Sequence, residues 1–343
     1  MRTKQCTINN VFSADSPLLR RFPPTIARQR RLAFCLLLAQ AGITITGSIV
    51  RVTGSGLGCN TWPNCHEGSL VPVPGAAPWI HQLIEYGNRM LTFVDLAFAV
   101  LVLVAVLAAH RRKEIIFYAL FQGAGIVVQA VIGGISVLLD LAWYSVALHF
   151  LPSMMLVWGA AVMYVRIAEP DDGTPTRTYE KSLRMLSAFS AILLSAVLIT
   201  GTMVTGAGPH SGDAGDGMKG RLEVDIDWMA HVHAWTMYAY LALSILLVCG
   251  LVLMQAPRRA RHLGGWLLLS IIVQGLVGVL QYRLGVPSWS IPLHIGLCSC
   301  VVALSALLWA VAMTRKDGSD WVTGSGIGDQ KFGFSERSTP VFP

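Results

Sequence analysis

The sequence predicts an all-α, polytopic membrane protein whose eight transmembrane helices form two four-helix bundles related by a pseudo-twofold axis. Three observations lead to this prediction. The 343-residue chain is 54% hydrophobic and only 13% charged, whereas soluble proteins are about a quarter charged. Eight apolar runs reach the roughly 20 residues that a helix needs to cross a bilayer. Motifs from the first four runs also return in the last four.

The eight runs follow one another along most of the chain, and each is expected to be helical because a spanning segment must satisfy its backbone hydrogen bonds internally. Their approximate limits are 32–52, 88–110, 114–138, 144–167, 183–206, 228–255, 263–284 and 290–314. They predict a disordered cytoplasmic leader, a first four-helix half, a cytoplasmic linker, a second half and a disordered cytoplasmic tail. The corresponding limits are 1–28, 29–168, 169–182, 183–315 and 316–343.

The basic residues predict the orientation, because cytoplasmic loops retain Lys and Arg. With both termini in the cytoplasm, 21 of the 26 Lys and Arg residues fall in inner segments. The net charge of +7 is then a topology signal, and its spread over five inner segments argues against nucleic-acid binding. Residues 1–28 lack the apolar core of a cleaved signal peptide. We therefore expect a multi-pass protein of the cell (plasma) membrane.

An internal repeat relates the two halves at an offset of 145 residues. "QAVIGG" at 129–134 returns as "QGLVGV" at 274–279, and "SVALHF" at 145–150 returns as "SIPLHI" at 290–295. Because each half has an even number of spans, both keep the same orientation and are related by an axis along the membrane normal.

Four equivalent positions carry polar side chains near the predicted outer ends of spans 2, 4, 6 and 8. The offset pairs Asn88 with His233 and His149 with His294. Histidines on facing helices can clamp an iron porphyrin from both sides, and intramembrane ionisable groups are functional candidates. We predict His233 and His294 as haem ligands; the alternative for each is a core histidine bonded to a backbone carbonyl. His231 lies about 200° round the helix from His233 and is expected to be a polar neighbour.

The stretch "IHQLIEYGNRM" at 80–90 is the first-half counterpart of "WMAHVHAW". Within it, Glu85, Asn88 and Arg89 share a helix face, and Glu85 stands where the second half has Ala230. One interpretation is an ordinary Glu–Arg pair at a helix start, which is worth little. The other is a carboxylate held over the first-half pocket that moves protons during an oxidation. This asymmetry favours one reacting site and one static site.

Cys59 and Cys65 lie in "CNTWPNC" in the first outer loop, on the side of the membrane where disulfides persist. Their spacing leaves open a structural disulfide, a redox-active pair or a metal site. Zinc would need further ligands nearby, and His66 alone is a weak case.

Several motifs together resemble the heme A synthase family over residues 30–315. They are "GSIVRVTGSGLGCNTWPNC", "IEYGNR", "ALHF", "VTGAGPHSGD", "WMAHVH" and "PLHIGL". The resemblance implies an oxidoreductase that converts the C8 methyl of haem o to a formyl group by successive hydroxylations, giving haem a for terminal cytochrome oxidase. It implies that His233 and His294 bind haem b, and that His149 and Glu85 line the haem o pocket.

The same resemblance implies further roles and partners. The Cys59–Cys65 pair would handle electrons or assist haem transfer, and haem O synthase and terminal-oxidase assembly proteins would be partners. Self-association is compatible with the sequence, while the electron donor and the oxygen source stay open. Members commonly have His where this chain has Asn88, so we expect His149 to ligate the haem o iron and Asn88 to leave its other side weakly bound or free. Glu85, Asn88 and Arg89 are the expected catalytic group.

Two other functions fit parts of the pattern. A di-haem b cytochrome that passes electrons without modifying haem is predicted by the symmetry as readily as an enzyme, and only the asymmetry at Glu85 argues against it. A transporter built on the repeat is the second alternative. Transport folds usually place polar residues near the membrane midplane, whereas those of this chain gather at the outer ends of the spans.

Overall fold

Long helices account for most of the chain, which a computed structural model describes for residues 23–210 and 220–316. In chain order the helices are α1 (Ile26–Val52), α2 (Trp79–Ala108), α3 (Lys113–Leu138), α4 (Trp143–Arg166), α5 (Lys181–Ala207), α6 (Ile226–Leu253), α7 (Arg258–Arg283) and α8 (Ser290–Val311). These eight helices are long and apolar enough to cross a membrane. The all-α class and the eight predicted spans are confirmed, and the chain is a multi-pass membrane protein.

Three helix starts precede the sequence-based limits by five residues or more. α7 begins at Arg258, five residues before the predicted start at 263. α2 begins at Trp79, nine residues before the predicted start at 88, so Glu85 lies inside the helix. α1 begins at Ile26, where the Thr25 hydroxyl caps the helix by accepting the Arg28 N–H, so the last residues of the predicted leader are helical. Residues 1–22 of that leader and the predicted tail from 317 onward lie outside the described residues.

The helices of each half close a ring of contacts. In the first half, α1 contacts α2, α2 contacts α3, α3 contacts α4, and α4 returns to α1; α5 to α8 do the same. Between the halves, α8 contacts α1 and α4, and α4 contacts α5. This pattern is unchanged when α1 is exchanged with α5 and α4 with α8. The contacts support the pseudo-twofold relation and the limits of the two halves, which remain predictions.

The end of the molecule opposite to the disulfide loop is tied together by polar contacts. Strand β1 (Thr174–Arg177) in the linker pairs antiparallel with β2 (Met313–Lys316) after α8. Buried Arg111, just before α3, donates to the Asp171 carboxylate at 2.8 Å and to the Glu169 carbonyl at 3.0 Å. The predicted linker at 169–182 is thereby fixed to both halves.

Candidate functional site

The four equivalent polar positions lie near one end of the even-numbered helices. Asn88, His149, His233 and His294 come four to nine residues after the start of α2, α4, α6 and α8. All four residues are partly buried. Since these four helix starts share one side of the membrane, each half presents its pair of polar side chains at a similar depth.

A threonine on the preceding helix holds one residue of each pair. The Thr46 hydroxyl bonds the Asn88 side-chain oxygen at 2.7 Å, and the Thr200 hydroxyl bonds His233 Nδ1 at 3.0 Å. Both threonines lie in the tripeptide Ile-Thr-Gly, at 45–47 and 199–201. The same side-chain contact on α1–α2 and on α5–α6 supports the pairing of Asn88 with His233.

The contacts of Thr200 favour one tautomer of His233. The Thr200 hydroxyl carries a single proton, and the carbonyls of Ala196 and Val197, 2.9 and 3.0 Å away, accept it. His233 Nδ1 then donates to the Thr200 oxygen, because that oxygen still has lone pairs to offer. This arrangement leaves the lone pair of His233 Nε2 available to a metal, as second-shell hydrogen bonds to histidine ligands commonly do.

Each of the four side chains faces a glycine on the preceding helix. The pairs are Gly47 with Asn88, Gly133 with His149, Gly201 with His233, and Gly278 with His294. A Cβ atom added to the glycine would come within 3.0–3.2 Å of the three imidazoles and 4.0 Å of the Asn88 amide. The glycines therefore let neighbouring helices carry these rings between them without a clash. Sequence reasoning assigned no role to these threonines and glycines. The available signals were the shared Ile-Thr-Gly and, for Gly133 and Gly278, the repeated "QAVIGG" and "QGLVGV".

The imidazoles of His149 and His294 lack partners within the described parts of the chain. Their Nδ1 atoms are buried without a hydrogen bond. Buried polar atoms are normally paired, so each ring has the capacity to bind a group from outside the chain. The partnerless ring, the oriented ring and their glycine neighbours together fit a haem in the second half.

His231 differs from His233 as the helix geometry predicts. Its side chain is exposed and its Nδ1 bonds the Asp227 carbonyl of the same helix at 2.6 Å. The His231 ring contacts the rings of Trp235 and Tyr282. The exposed His231 side chain therefore lies on a different face of α6 from His233, which Thr200 contacts.

The loop between α1 and α2 is closed by a disulfide between Cys59 and Cys65, both of which are fully buried. His66 does not join them in a metal cluster, because its two ring nitrogens bond Asn60 and Gln82 at 3.0 and 2.9 Å. Within residues 23–210 and 220–316, no group of three or more His, Cys, Asp or Glu residues is placed to hold a metal ion. Of the three interpretations of the cysteine pair, the structure favours a disulfide.

Glu85 and Arg89 bind this disulfide loop. The Glu85 side chain is 6% exposed, and its carboxylate accepts the Cys59 N–H at 2.7 Å and an Arg89 N–H at 2.6 Å. Arg89 also donates to the carbonyls of Cys59, Thr61 and Asn64 at 3.0–3.1 Å. The Glu–Arg pair at a helix start, which was one of the two interpretations of this stretch, is thus present, but it is buried under the loop. Asn88, between them in sequence, faces α1 instead.

Gln82 extends the same set of contacts and was not singled out from the sequence. Its side chain is fully buried. Its amide oxygen accepts the Val73 N–H at 2.8 Å, and its amide nitrogen donates to the carbonyls of Val73 and Ala77 at 3.0 and 2.8 Å. Its position one turn before Glu85, on the same helix face, was the available signal. The first turns of α2 are therefore an attachment site for the loop between α1 and α2.

Known proteins with similar sequences include a protein family and several of its members. Residues 30–211 match the model of the COX15-CtaA family, described as cytochrome oxidase assembly protein. A heme A synthase of Exiguobacterium sibiricum is 29% identical over 48% of this chain and 55% of its own length. A heme A synthase of Bacillus licheniformis is 24% identical over 72% of this chain and 84% of its own length. One of Listeria welshimeri is 30% identical over 39% of this chain and 44% of its own length. The chain spans about half the length of the first of these relatives.

Proposed function

The chain belongs to the heme A synthase (COX15-CtaA) family of cytochrome oxidase assembly proteins, and on that premise we propose that it oxidises the C8 methyl of haem o to a formyl group. Each hydroxylation replaces a C–H bond of the methyl group by a C–O bond and withdraws two electrons from the carbon, which an oxidant from outside the chain must accept. The first gives a hydroxymethyl group, and the second gives a hydrated aldehyde that loses water to form haem a. The observation that carries the proposal is the difference between the two halves. Equivalent threonines and glycines frame two histidines in the second half but one histidine and Asn88 in the first.

In this proposal the first bundle holds the substrate. His149 on α4 binds the haem o iron from one side, since its ring packs on Gly133 and lacks a hydrogen bond at Nδ1. On the other side, Thr46 occupies one polar atom of the Asn88 amide. A neutral amide is a much poorer iron ligand than an imidazole, so this side of the substrate is left weakly bound or open. A haem that reacts needs an open axial side at its iron, whereas a haem that only carries electrons does not.

The second bundle would hold haem b between His233 and His294. A bis-histidine haem supplies one-electron transfer, with its potential set by axial ligands and their hydrogen bonds. Thr200 orients His233 by accepting from Nδ1, which raises the basicity of the opposite nitrogen. Gly201 and Gly278 allow both rings to lie between the helices.

Glu85 and Arg89 act in this proposal through the disulfide loop that they fasten. The Glu85 carboxylate is held by Cys59 and Arg89, one helical turn from Asn88. That placement supports a role in stabilising positive charge or relaying a proton next to the substrate. It also links the Cys59–Cys65 disulfide directly to the helix that carries Asn88, as a role of the pair in electron or haem transfer requires.

The topology and partners are part of the proposal. Both termini lie in the cytoplasm, which puts both haem sites and the disulfide loop towards the outer side, in agreement with the concentration of Arg111, Arg112 and Arg166 at the opposite end. Haem o arrives from a haem O synthase and haem a passes to terminal-oxidase assembly.

Haem extraction from cells tests the proposal. The chain is expressed together with a haem O synthase in a host that makes haem o but no haem a, and the extracted haems are separated chromatographically. We expect haem a with the native chain and none with His149→Ala or Glu85→Ala, while haem b remains in both purified variants. No haem a from the native chain, with both haems bound, would instead identify a di-haem cytochrome.

A further inference from the structure

Asp95 is a buried acidic residue in the membrane-spanning part of α2 that the proposed chemistry does not use. It lies seven residues after Asn88, close to two full helical turns, and so on the same face of the helix. It is 3% exposed, and within the described ranges its carboxyl forms no hydrogen bond or ion pair. Acidic groups at this depth are costly, and buried polar groups are normally paired. A hydrogen-bonding group from outside the chain would supply the partner that the Asp95 carboxyl lacks within these ranges.

Two glutamines accompany Asp95 inside the first bundle. Gln40 on α1 is 2% exposed and Gln122 on α3 is fully buried. The Gln40 amide donates to the Gln122 oxygen at 3.3 Å, and the Gln122 amide donates to the Leu156 carbonyl at 3.0 Å. We call Gln40, Asp95 and Gln122 the polar triad.

The hydrogen bond between Thr46 and Asn88 fixes the register of α1 against α2 and so the depth of the polar triad. Gln40 lies six residues before Thr46 and Asp95 seven after Asn88, which places them about 9 and 10.5 Å further into the membrane on antiparallel helices. Gln40 and Asp95 are therefore at the same level, further into the membrane than Asn88 and His149.

The second bundle has no such set at the corresponding positions. The repeat offset of 145 and the Ile-Thr-Gly alignment assign the counterparts of the polar triad as Leu194, Tyr240 and Leu267. All three are buried, and the Tyr240 hydroxyl is bonded to Ser305 at 2.7 Å. At this level the second bundle thus has a tyrosine paired with a serine, whereas the first bundle has two glutamine amides and a carboxyl.

We propose that the polar triad binds the hydroxyl of the hydroxyethylfarnesyl substituent of haem o and so selects haem o over haem b for the first bundle. This inference rests on the proposed function. Because the triad lies further into the membrane than His149 and Asn88 in the same bundle, a haem held by His149 would have to direct this substituent towards it. A hydroxyl has one proton and two lone pairs, which an Asp carboxyl and a Gln amide can satisfy together. Haem b has a vinyl group in place of this substituent and offers the triad nothing to bond.

Haem titration tests the selectivity directly. The protein, purified with its resident haem b and reconstituted in lipid nanodiscs, is titrated with haem o and separately with haem b, and binding to the first bundle is followed by absorbance. We expect the native chain to prefer haem o. In Asp95→Leu, haem o affinity should fall about 10- to 100-fold, the range for leaving a buried hydroxyl without its hydrogen-bond partner, while affinity for added haem b stays unchanged.

Two further variants guard against a folding defect. Gln40→Leu installs the residue of the second bundle and should lower haem o affinity selectively, whereas Asp95→Asn keeps a hydrogen-bonding group and should retain most of the preference. An equal loss of affinity for haem o and haem b, or unchanged haem o affinity in both Asp95→Leu and Gln40→Leu, would overturn the inference. If the native chain still makes haem a in cells while Asp95→Leu keeps its preference, the selectivity proposal alone fails. If the native chain neither binds haem o nor makes haem a, the proposed function fails.

Discussion

Replacing Glu85 with Ala should release the disulfide loop from α2. The carboxylate accepts three hydrogen bonds, one from Cys59 N–H at 2.7 Å and two from Arg89 at 2.6 and 3.2 Å. Its removal leaves the Cys59 N–H without its acceptor and the Arg89 guanidinium without its counter-ion. Only 18% of the Arg89 side chain is exposed, so water compensates the lost ion pair incompletely.

The expected loss follows from the burial of this pair. Removing one partner of a buried ion pair costs about 3–5 kcal/mol, and the partial exposure of Arg89 selects the lower end, about 3 kcal/mol. If the loop opens locally rather than with the whole protein, its open population rises roughly a hundredfold.

The rate at which a membrane-impermeant thiol reductant cleaves the Cys59–Cys65 disulfide measures that population. Both sulfurs are fully buried in the closed loop, so reduction requires opening. Trapping the freed thiols with a maleimide and measuring the mass shift gives the rate. We expect roughly a hundredfold acceleration in Glu85→Ala with little change in the helical circular dichroism of the protein.

Two controls sharpen the measurement. Glu85→Gln keeps an acceptor for the Cys59 N–H but loses the charge, and should accelerate reduction only about tenfold, since neutral hydrogen bonds are weaker than charged ones. Arg89→Ala should accelerate reduction by a smaller factor in the Glu85→Ala background than in the native chain, because the effects of substituting two residues in contact are not additive. A reduction rate in Glu85→Ala within about twofold of native would refute the assignment of Glu85 as the fastening of the loop.

Three further predictions concern the haem sites. Asn88→His should convert the first-bundle haem to a low-spin, bis-histidine species, visible by electron paramagnetic resonance, and an unchanged spectrum would count against the pairing by the repeat. Thr200→Val should raise the reduction potential of the second-bundle haem, because the lost hydrogen bond made the axial imidazole more basic; Thr46→Val, its matched control, should leave that potential alone. Gly278→Ala puts a Cβ 3.2 Å from a ligand ring and should lower haem b content, while Gly265→Ala on the same helix meets nothing within 4 Å and should not.

The sequence predicted the helices and the four polar positions because both depend on patterns along the chain. Apolar runs of membrane length give the spans, and the offset of 145 relates Asn88 to His233 without knowledge of the fold. The structural support is the threonine that each of these residues contacts. Hydropathy failed at the start of α2, since Gln82 and Glu85 are polar yet buried under the outer loop.

The contacts that join distant segments could not be predicted in this way. Strands β1 and β2 are short and polar, and they pair across more than a hundred residues. The Ile-Thr-Gly repeat was visible, but only the fold reveals that its threonine reaches a ligand position. Glu85 could be assigned to a pocket from its helix face alone, yet its partner is the backbone of Cys59. Asp95 was visible in the sequence as an acidic residue in an apolar run and was missed, whereas its burial without a partner among the described residues is known only from the fold.

The division of the molecule into a substrate half and a resident haem half is tested most directly by which haem each histidine retains. The native chain, His149→Ala and His294→Ala are purified from cells that make haem b and haem o, and the haems of each are extracted and quantified. We predict that His149→Ala loses haem o and haem a but keeps haem b, and that His294→Ala loses haem b. Loss of haem b from His149→Ala with retention of haem o, or equal loss of every haem from both variants, would contradict the account.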